Sequence, residues 1–131
     1  MRSLLLVEDE ATLRSALARF FVRRGWQVTE AEDGEVARGL LLDGDGASQF
    51  DVVLTDMRMP RMCGMELHRI VAAANESLAT RFVFSTGDTG DQQAVEFIAR
   101  AHCPIIQKPF DLSTLLAMVE RVAADALPDA R

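Results

Sequence analysis

The sequence predicts an α/β fold in which helices cover both faces of a five-stranded parallel sheet, and two observations carry this prediction. Short runs rich in leucine, valine, isoleucine and phenylalanine alternate five times with longer segments whose apolar residues recur at helical spacing. The second observation is that the segments between consecutive apolar runs are long enough to hold helices. Right-handed crossovers turn such an alternation into a doubly wound sheet. We expect residues 1–131 to form one domain, because this length suffices for a single hydrophobic core.

The first part of the chain is predicted to form two strand–helix units. Residues 4–7 are an apolar run that stops at three acids, as a buried strand does where it enters a loop. An amphipathic helix follows and stops at Gly25; its apolar positions are Leu13, Leu17, Phe20 and Phe21. Residues 26–31 have the weaker pattern of an edge strand, and a second helix begins near Gly34.

Three further units complete the pattern. Residues 52–54 are a short apolar run of the kind that is buried on both faces of a parallel sheet, and a third helix follows. Strands are predicted at residues 82–85 and 105–106, with a short fourth helix between them. Asp111 is a suitable N-cap for the last helix, whose apolar face carries Leu112, Leu115, Leu116, Val119 and Val122.

Composition and charge narrow the class of protein. Hydrophobic residues make up 49% and charged residues 26%, which indicates a globular chain rather than a disordered one. The net charge is −6 and no basic block occurs, which argues against nucleic-acid binding. The apolar run at the N-terminus is too short for a signal peptide or a membrane span. Cys63 and Cys103 lack metal-site spacing, so we expect reduced thiols in a cytoplasmic protein.

Chemically active side chains follow four of the five predicted strands. They are Glu8, Asp9, Asp56, Thr86 and Lys108. All strands of a parallel sheet end at the same edge, so these groups are expected to meet in one crevice. Three carboxylates brought together need a compensating cation, and hard oxygen ligands that leave positions open favour Mg²⁺.

Asp56 is the candidate for the reacting group. A carboxylate beside Mg²⁺ and an ammonium group is a suitable phosphoryl acceptor, because both cations neutralise charge on the transferring oxygens. Thr86 could then donate a hydrogen bond to the bound phosphoryl group. Each residue also has a simpler interpretation, such as a turn aspartate, an acidic first helical turn or a solvated lysine. Their coincidence at strand ends favours the chemical interpretation.

The chain resembles the receiver domains of two-component response regulators over almost its whole length. The family's marks are an acid pair, an Asp-x-x-x-Pro loop followed by glycine, a threonine after a hydrophobic strand and a Lys-Pro-Phe sequence. Here they are Glu8-Asp9, Asp56, Pro60, Gly64, Thr86 and Lys108-Pro109-Phe110. The resemblance implies a flavodoxin-like fold with strand order 2-1-3-4-5.

The resemblance also implies a role for each matching residue. Asp56 would accept a phosphoryl group from a sensor histidine kinase or a histidine phosphotransfer protein. Lys108 would bind a phosphoryl oxygen, and the bond to Pro109 would be cis. The Mg²⁺ ligands would be Glu8 through water, Asp9, Asp56 and the backbone carbonyl of Arg58.

Such a domain acts as a switch that promotes its own phosphorylation and dephosphorylation, not as an enzyme for other substrates. Thr86 would move toward the phosphoryl group and reset the face formed by the predicted fourth helix, the fifth strand and the last helix. A homodimer through this face is a further expectation. We expect either a single-domain regulator or part of a longer protein. Residues 84–88 and 103–110 resemble receivers fused to hybrid histidine kinases.

Three positions depart from the family pattern or vary within it. Ile105 stands where the family often has the aromatic switch residue, and the chain contains no tyrosine. Arg58 and Asp88 occupy variable positions that flank the site. We hypothesise a salt bridge between them that covers the phosphoryl group and slows its hydrolysis.

Two other functions compete with the switch. A phosphatase of the haloacid dehalogenase type also forms an aspartyl phosphate, but it requires Asp-x-Asp, and Arg58 occupies the second position here. A receiver-like interaction module that works without phosphorylation is suggested by Ile105. Such a module would have no use for the complete set of acids, threonine and lysine.

Overall fold

The computed structural model describes residues 2–43, 49–59, 61–87 and 92–125. Its five strands form one parallel sheet in the predicted order, with the second strand of the chain at one edge, then the first, third, fourth and fifth. The strands are β1 (Ser3–Val7), β2 (Gln27–Ala31), β3 (Val52–Asp56), β4 (Phe82–Thr86) and β5 (Ile105–Gln107). The helices are α1 (Ala11–Arg23), α2 (Gly34–Leu42), α3 (Gly64–Ala74), α4 (Glu76–Ala79), α5 (Gln92–Ala101) and α6 (Leu112–Asp125).

The middle of the sheet is buried on both faces. β3 and β4 are buried along their whole length, and Leu5 of β1 pairs with Val53 of β3. β2 is partly exposed, as the sequence predicted for an edge strand. In this strand order the ends of β1, β3 and β4 lie side by side in the middle of the sheet, and β5 forms the edge opposite β2.

Alternate residues of each strand pack into two hydrophobic layers. Leu5 and Val7 face a layer that includes residues of α2, α3, α4 and α5. Leu4 and Leu6 face the other layer, which includes residues of α1 and α6. The sheet is therefore covered on both sides, as a doubly wound fold requires.

The short helix α4 was not predicted. The side chain of Asn75 caps it by accepting a hydrogen bond from the backbone N–H of Leu78 at 3.1 Å. A four-residue helix is too short to show helical periodicity in the sequence. The predicted fourth and last helices are therefore α5 and α6. Among the described residues, no helix is both long and apolar enough to cross a lipid bilayer.

Candidate functional site

Three carboxylates meet where β1 and β3 end. Each of Glu8, Asp9 and Asp56 has a carboxylate oxygen within 4.8 Å of the other two. Glu8 is 3% exposed and Asp56 is 9% exposed, whereas Asp9 is open to solvent. The parallel neighbours β1 and β3 thus bring together acids that are far apart in the sequence, as predicted.

Lys108 completes this cluster from the end of β5. Its Nζ donates to Asp56 Oδ2 at 2.8 Å and to Glu8 Oε1 at 3.1 Å. Its backbone N–H donates to the carbonyl of Thr86 at 2.7 Å, which joins the ends of β4 and β5. The Lys108–Pro109 bond is cis, as expected from the family resemblance.

Burial and the neighbouring charges shift the pKa values of two groups in the cluster. Burial raises the pKa of Glu8 above its usual value of 4.5, and the hydrogen bonds from Glu10 and Lys108 oppose that shift only in part. Burial lowers the pKa of Lys108, but its hydrogen bonds and charge interactions with Asp56 and Glu8 outweigh burial and raise it. The lysine is therefore a firmly held cation beside the carboxylates.

The loop after β3 is held close to the Asp56 side chain. The backbone N–H of Arg58 donates to Asp56 Oδ1 at 3.2 Å. The guanidinium of Arg58 reaches α5, where Nη2 donates to Gln93 Oε1 at 3.0 Å. Asp88, the hypothetical partner of Arg58, lies outside the described residues.

Gly64 at the start of α3 allows this loop to return to β3. A Cβ atom built on Gly64 would lie 2.2 Å from the carbonyl oxygen of Asp56. The N–H of Gly64 donates to the carbonyl of Met57 at 3.1 Å. The glycine of the sequence pattern is thus required because two backbone segments come into close contact beside the candidate acceptor.

The two predicted switch residues lie on neighbouring strands. Thr86 is the last residue of β4 and is 3% exposed. Ile105 is the first residue of β5 and pairs with Phe84 of β4. Ile105 packs against the layer that contains Phe84 and Phe97. The aromatic side chains near the switch position therefore come from β4 and α5, whereas position 105 itself is aliphatic.

Sequence reasoning missed the side chains that support the site. Arg14 Nη1 donates to the carbonyl of Glu8 at 2.8 Å, and its Nε donates to Glu30 Oε1 at 3.2 Å. Asp33 accepts a hydrogen bond from Arg61 at 3.0 Å. The sequence contained one relevant signal, an Asp-Gly pair at residues 33–34 before a helix, which is an N-cap pattern.

The donor set suits a hard cation. Glu8, Asp9 and Asp56 offer carboxylate oxygens, and the cluster contains no histidine or thiolate. Oxygen-only sites suit Mg²⁺ rather than Zn²⁺ or copper. The described residues thus fit the metal that the sequence predicted.

Comparison with known proteins gives the family. A family model described as "Response regulator receiver domain" matches residues 4–120. The chain belongs to this family. It is a receiver domain of two-component signalling, and receiver domains bind Mg²⁺ at an acidic pocket.

Two curated relatives illustrate how the receiver is used elsewhere. The chain is 33% identical over 129 residues to the transcriptional activator protein PfeR of Pseudomonas aeruginosa, covering 95% of this chain and 40% of PfeR. It is 30% identical over 120 residues to the chemotaxis protein CheY-3 of Vibrio cholerae, covering 91% of this chain and 89% of CheY-3. The receiver therefore spans less than half of the first relative and most of the second.

Solved receiver structures have the same fold. The non-phosphorylated HemR receiver domain of Leptospira biflexa superposes with a TM-score of 0.83 at 27% identity, covering 99% of this chain and 100% of HemR's. A response regulator receiver protein of Pseudomonas putida gives a TM-score of 0.79 at 27% identity, covering 92% and 96% of the two chains. The identity of the fold is thus clear from structure as well as from sequence.

Proposed function

We propose that this receiver domain is the phosphoacceptor switch of a two-component phosphorelay, and that Asp56 accepts the phosphoryl group. The donor would be the phosphohistidine of a sensor histidine kinase or a histidine phosphotransfer protein. The observation that carries the proposal is the position of the Asp56 carboxylate between two further acids and the ammonium group of Lys108. That arrangement supplies a nucleophile, a cation site and a fixed positive charge in one crevice.

The chemistry assigns a separate task to each group. A carboxylate oxygen of Asp56 attacks phosphorus, the P–N bond of the phosphohistidine breaks, and the imidazole nitrogen leaves with the electron pair. Lys108 would exchange its bond to Asp56 for one to a phosphoryl oxygen. Bound Mg²⁺ would neutralise phosphoryl oxygens, held directly by Asp9, Asp56 and the Arg58 carbonyl and through water by Glu8.

Thr86 and Ile105 are the proposed switch residues. Thr86 ends the strand beside Asp56's own and could donate its hydroxyl to the phosphoryl group. Movement of Thr86 would change the position of Ile105 and the conformation of the surface that α5, β5 and α6 form. We propose this surface for output, and for a homodimer if one forms.

The remaining proposals concern the domain's own activity, its location in the cell and its contact with nucleic acid. The domain would promote only its own phosphorylation and hydrolysis. Both cysteines are free thiols, which supports a cytoplasmic location. No nucleic-acid contact by this chain is proposed, given its net charge of −6.

Intact mass spectrometry after incubation with acetyl phosphate tests the phosphorylation. We expect wild type to gain one phosphoryl group with Mg²⁺ and none after chelation. Asp56→Asn should gain none. Asp51→Asn is the matched control, because Asp51 directly precedes the first residue of β3, and it should behave as wild type. Absence of any gain with several phosphodonors would favour the interaction module that works without phosphorylation.

A further inference from the structure

Asp33 joins two loops at the edge of the sheet that carries the acids. Its side chain is buried, with 6% exposure, and makes a different bond with each oxygen. Oδ1 accepts from the N–H of Val36 at 2.9 Å and caps α2, and Oδ2 accepts from Arg61 Nη1 at 3.0 Å. One carboxylate thus ties the start of α2 to the loop between β3 and α3.

The backbones of the two loops are also in direct contact. A Cβ atom built on Gly34, the first residue of α2, would lie 2.2 Å from the carbonyl oxygen of Met62. Arg61, beside Met62, has a φ of 67°, a left-handed conformation that is uncommon for residues other than glycine and asparagine. The ion pair with Asp33 therefore holds the loop where its backbone is conformationally unfavourable.

The same loop carries the Arg58 carbonyl, which the proposed function assigns to Mg²⁺. We propose that Asp33 and Arg61 are positioning residues, which hold this loop in the conformation that binds the metal. Neither residue belongs to the acid cluster, so each would act through the loop. The inference rests on the proposed function, because it concerns the affinity of the same metal site.

Electrostatics and positioning predict opposite effects for the loss of Arg61. Removing a positive charge from the vicinity of an acidic site should strengthen Mg²⁺ binding if charge alone matters. Loss of the positioning contact should weaken binding instead. Asparagine is the suitable replacement, because it tolerates the left-handed backbone and removes the guanidinium group.

Titration of ¹⁵N-labelled protein with MgCl₂, followed by amide chemical shifts, measures the affinity and shows that each variant is folded. We expect Arg61→Asn to raise the Kd about threefold, the scale of a partly exposed ion pair. Asp33→Asn keeps an N-cap residue and should have a similar effect. Arg38→Asn, the same change on the exposed side of α2, should leave the Kd near that of wild type.

The double variant separates the two explanations further. It restores the net charge, so electrostatics alone predicts a Kd near that of wild type. Positioning predicts instead that the Kd of the double variant is no higher than that of either single variant and still higher than that of wild type, because both changes remove the same contact. An unchanged or lower Kd for Arg61→Asn would overturn the inference and leave the proposed function standing. Absence of Mg²⁺ binding in wild type would overturn both.

Discussion

The Nζ of Lys108 lies 2.8 Å from the Oδ2 of Asp56, although 52 positions separate the two residues in the chain. The same ammonium group lies 3.1 Å from Glu8. Lys108 therefore compensates the charge of two buried carboxylates. Because Mg²⁺ would use the same carboxylates, the lysine and the metal compete for their charge.

Replacement of Lys108 by methionine should tighten Mg²⁺ binding. The chain contains no other lysine, so this change removes the only ammonium group on a side chain. We expect the Kd for Mg²⁺ to fall severalfold, on the order of 1 kcal/mol for a partly buried pair. Chemical-shift titration measures it, with Arg121→Met in α6 as the charge control. A weaker or unchanged affinity would contradict competition between the two cations.

Arg58→Ala should shorten the life of the phosphorylated state. The backbone N–H of Arg58 is hydrogen-bonded to Asp56, and its guanidinium extends to Gln93 on α5. The hypothesis is that the Arg58 side chain limits access of water to the phosphoryl group. We expect hydrolysis to accelerate by roughly threefold to tenfold, equivalent to about 1 kcal/mol. The rate can be followed by intact mass after removal of the phosphodonor.

Two further variants test how Arg58 acts. Gln93→Ala keeps the guanidinium but removes its contact on α5, so it should accelerate hydrolysis less than Arg58→Ala does. Asp88→Ala should accelerate hydrolysis as Arg58→Ala does, because the hypothesis pairs these two residues. If Arg58→Ala hydrolyses no faster than wild type, the proposed shielding is wrong.

Gly64→Ala should destabilise the fold. Its Cβ would meet the Asp56 carbonyl at 2.2 Å, so the backbone beside the acceptor must move. We expect a loss of about 1–3 kcal/mol in the free energy of unfolding, the usual scale of overpacking. Gly39→Ala is the control: its Cβ would meet only Asp43 at 3.5 Å, and helix propensity predicts a gain of up to about 1 kcal/mol. Urea denaturation measures both, and equal effects would contradict the close approach.

His68 should make the fold less stable at acidic pH. Its ring centroid lies 5.0 Å from that of Phe82 and 5.3 Å from that of Phe97, and Nε2 lies 3.2 Å from the carbonyl oxygen of Ala79. Burial lowers its pKa below the ordinary 6.5, which outweighs the opposing hydrogen bond to Ala79. The unfolded chain therefore binds more protons between the folded pKa and 6.5, and stability is lost as the pH falls through that range.

Comparison with His68→Gln isolates this effect from that of Glu8, whose raised pKa acts with the opposite sign. The free energy of unfolding of wild type should fall more steeply than that of the variant as the pH falls below about 6.5. Parallel pH profiles would show that His68 does not titrate differently in the folded state.

Much of the candidate site was predictable because strand ends are readable in a sequence. The acids after Val7, Asp56 itself, and Lys108 after the fifth apolar run were expected at one edge once the sheet was predicted to be parallel. The contacts of Asp33 with Arg61, and of Arg14 with Glu8, were not predictable. They join residues on different elements, and their distances depend on loop conformations that carry no periodic signal.

The sequence by itself determined the alternation of strands and helices, the parallel sheet and the identities of the groups at its carboxyl edge, because periodicity and turn residues act locally. Only the tertiary structure decided which oxygen of Asp56 bonds to Lys108, which loop Asp33 holds and which rings surround His68. These depend on packing between segments that are far apart in the chain. Long-range packing selects one arrangement among many that share the same local pattern.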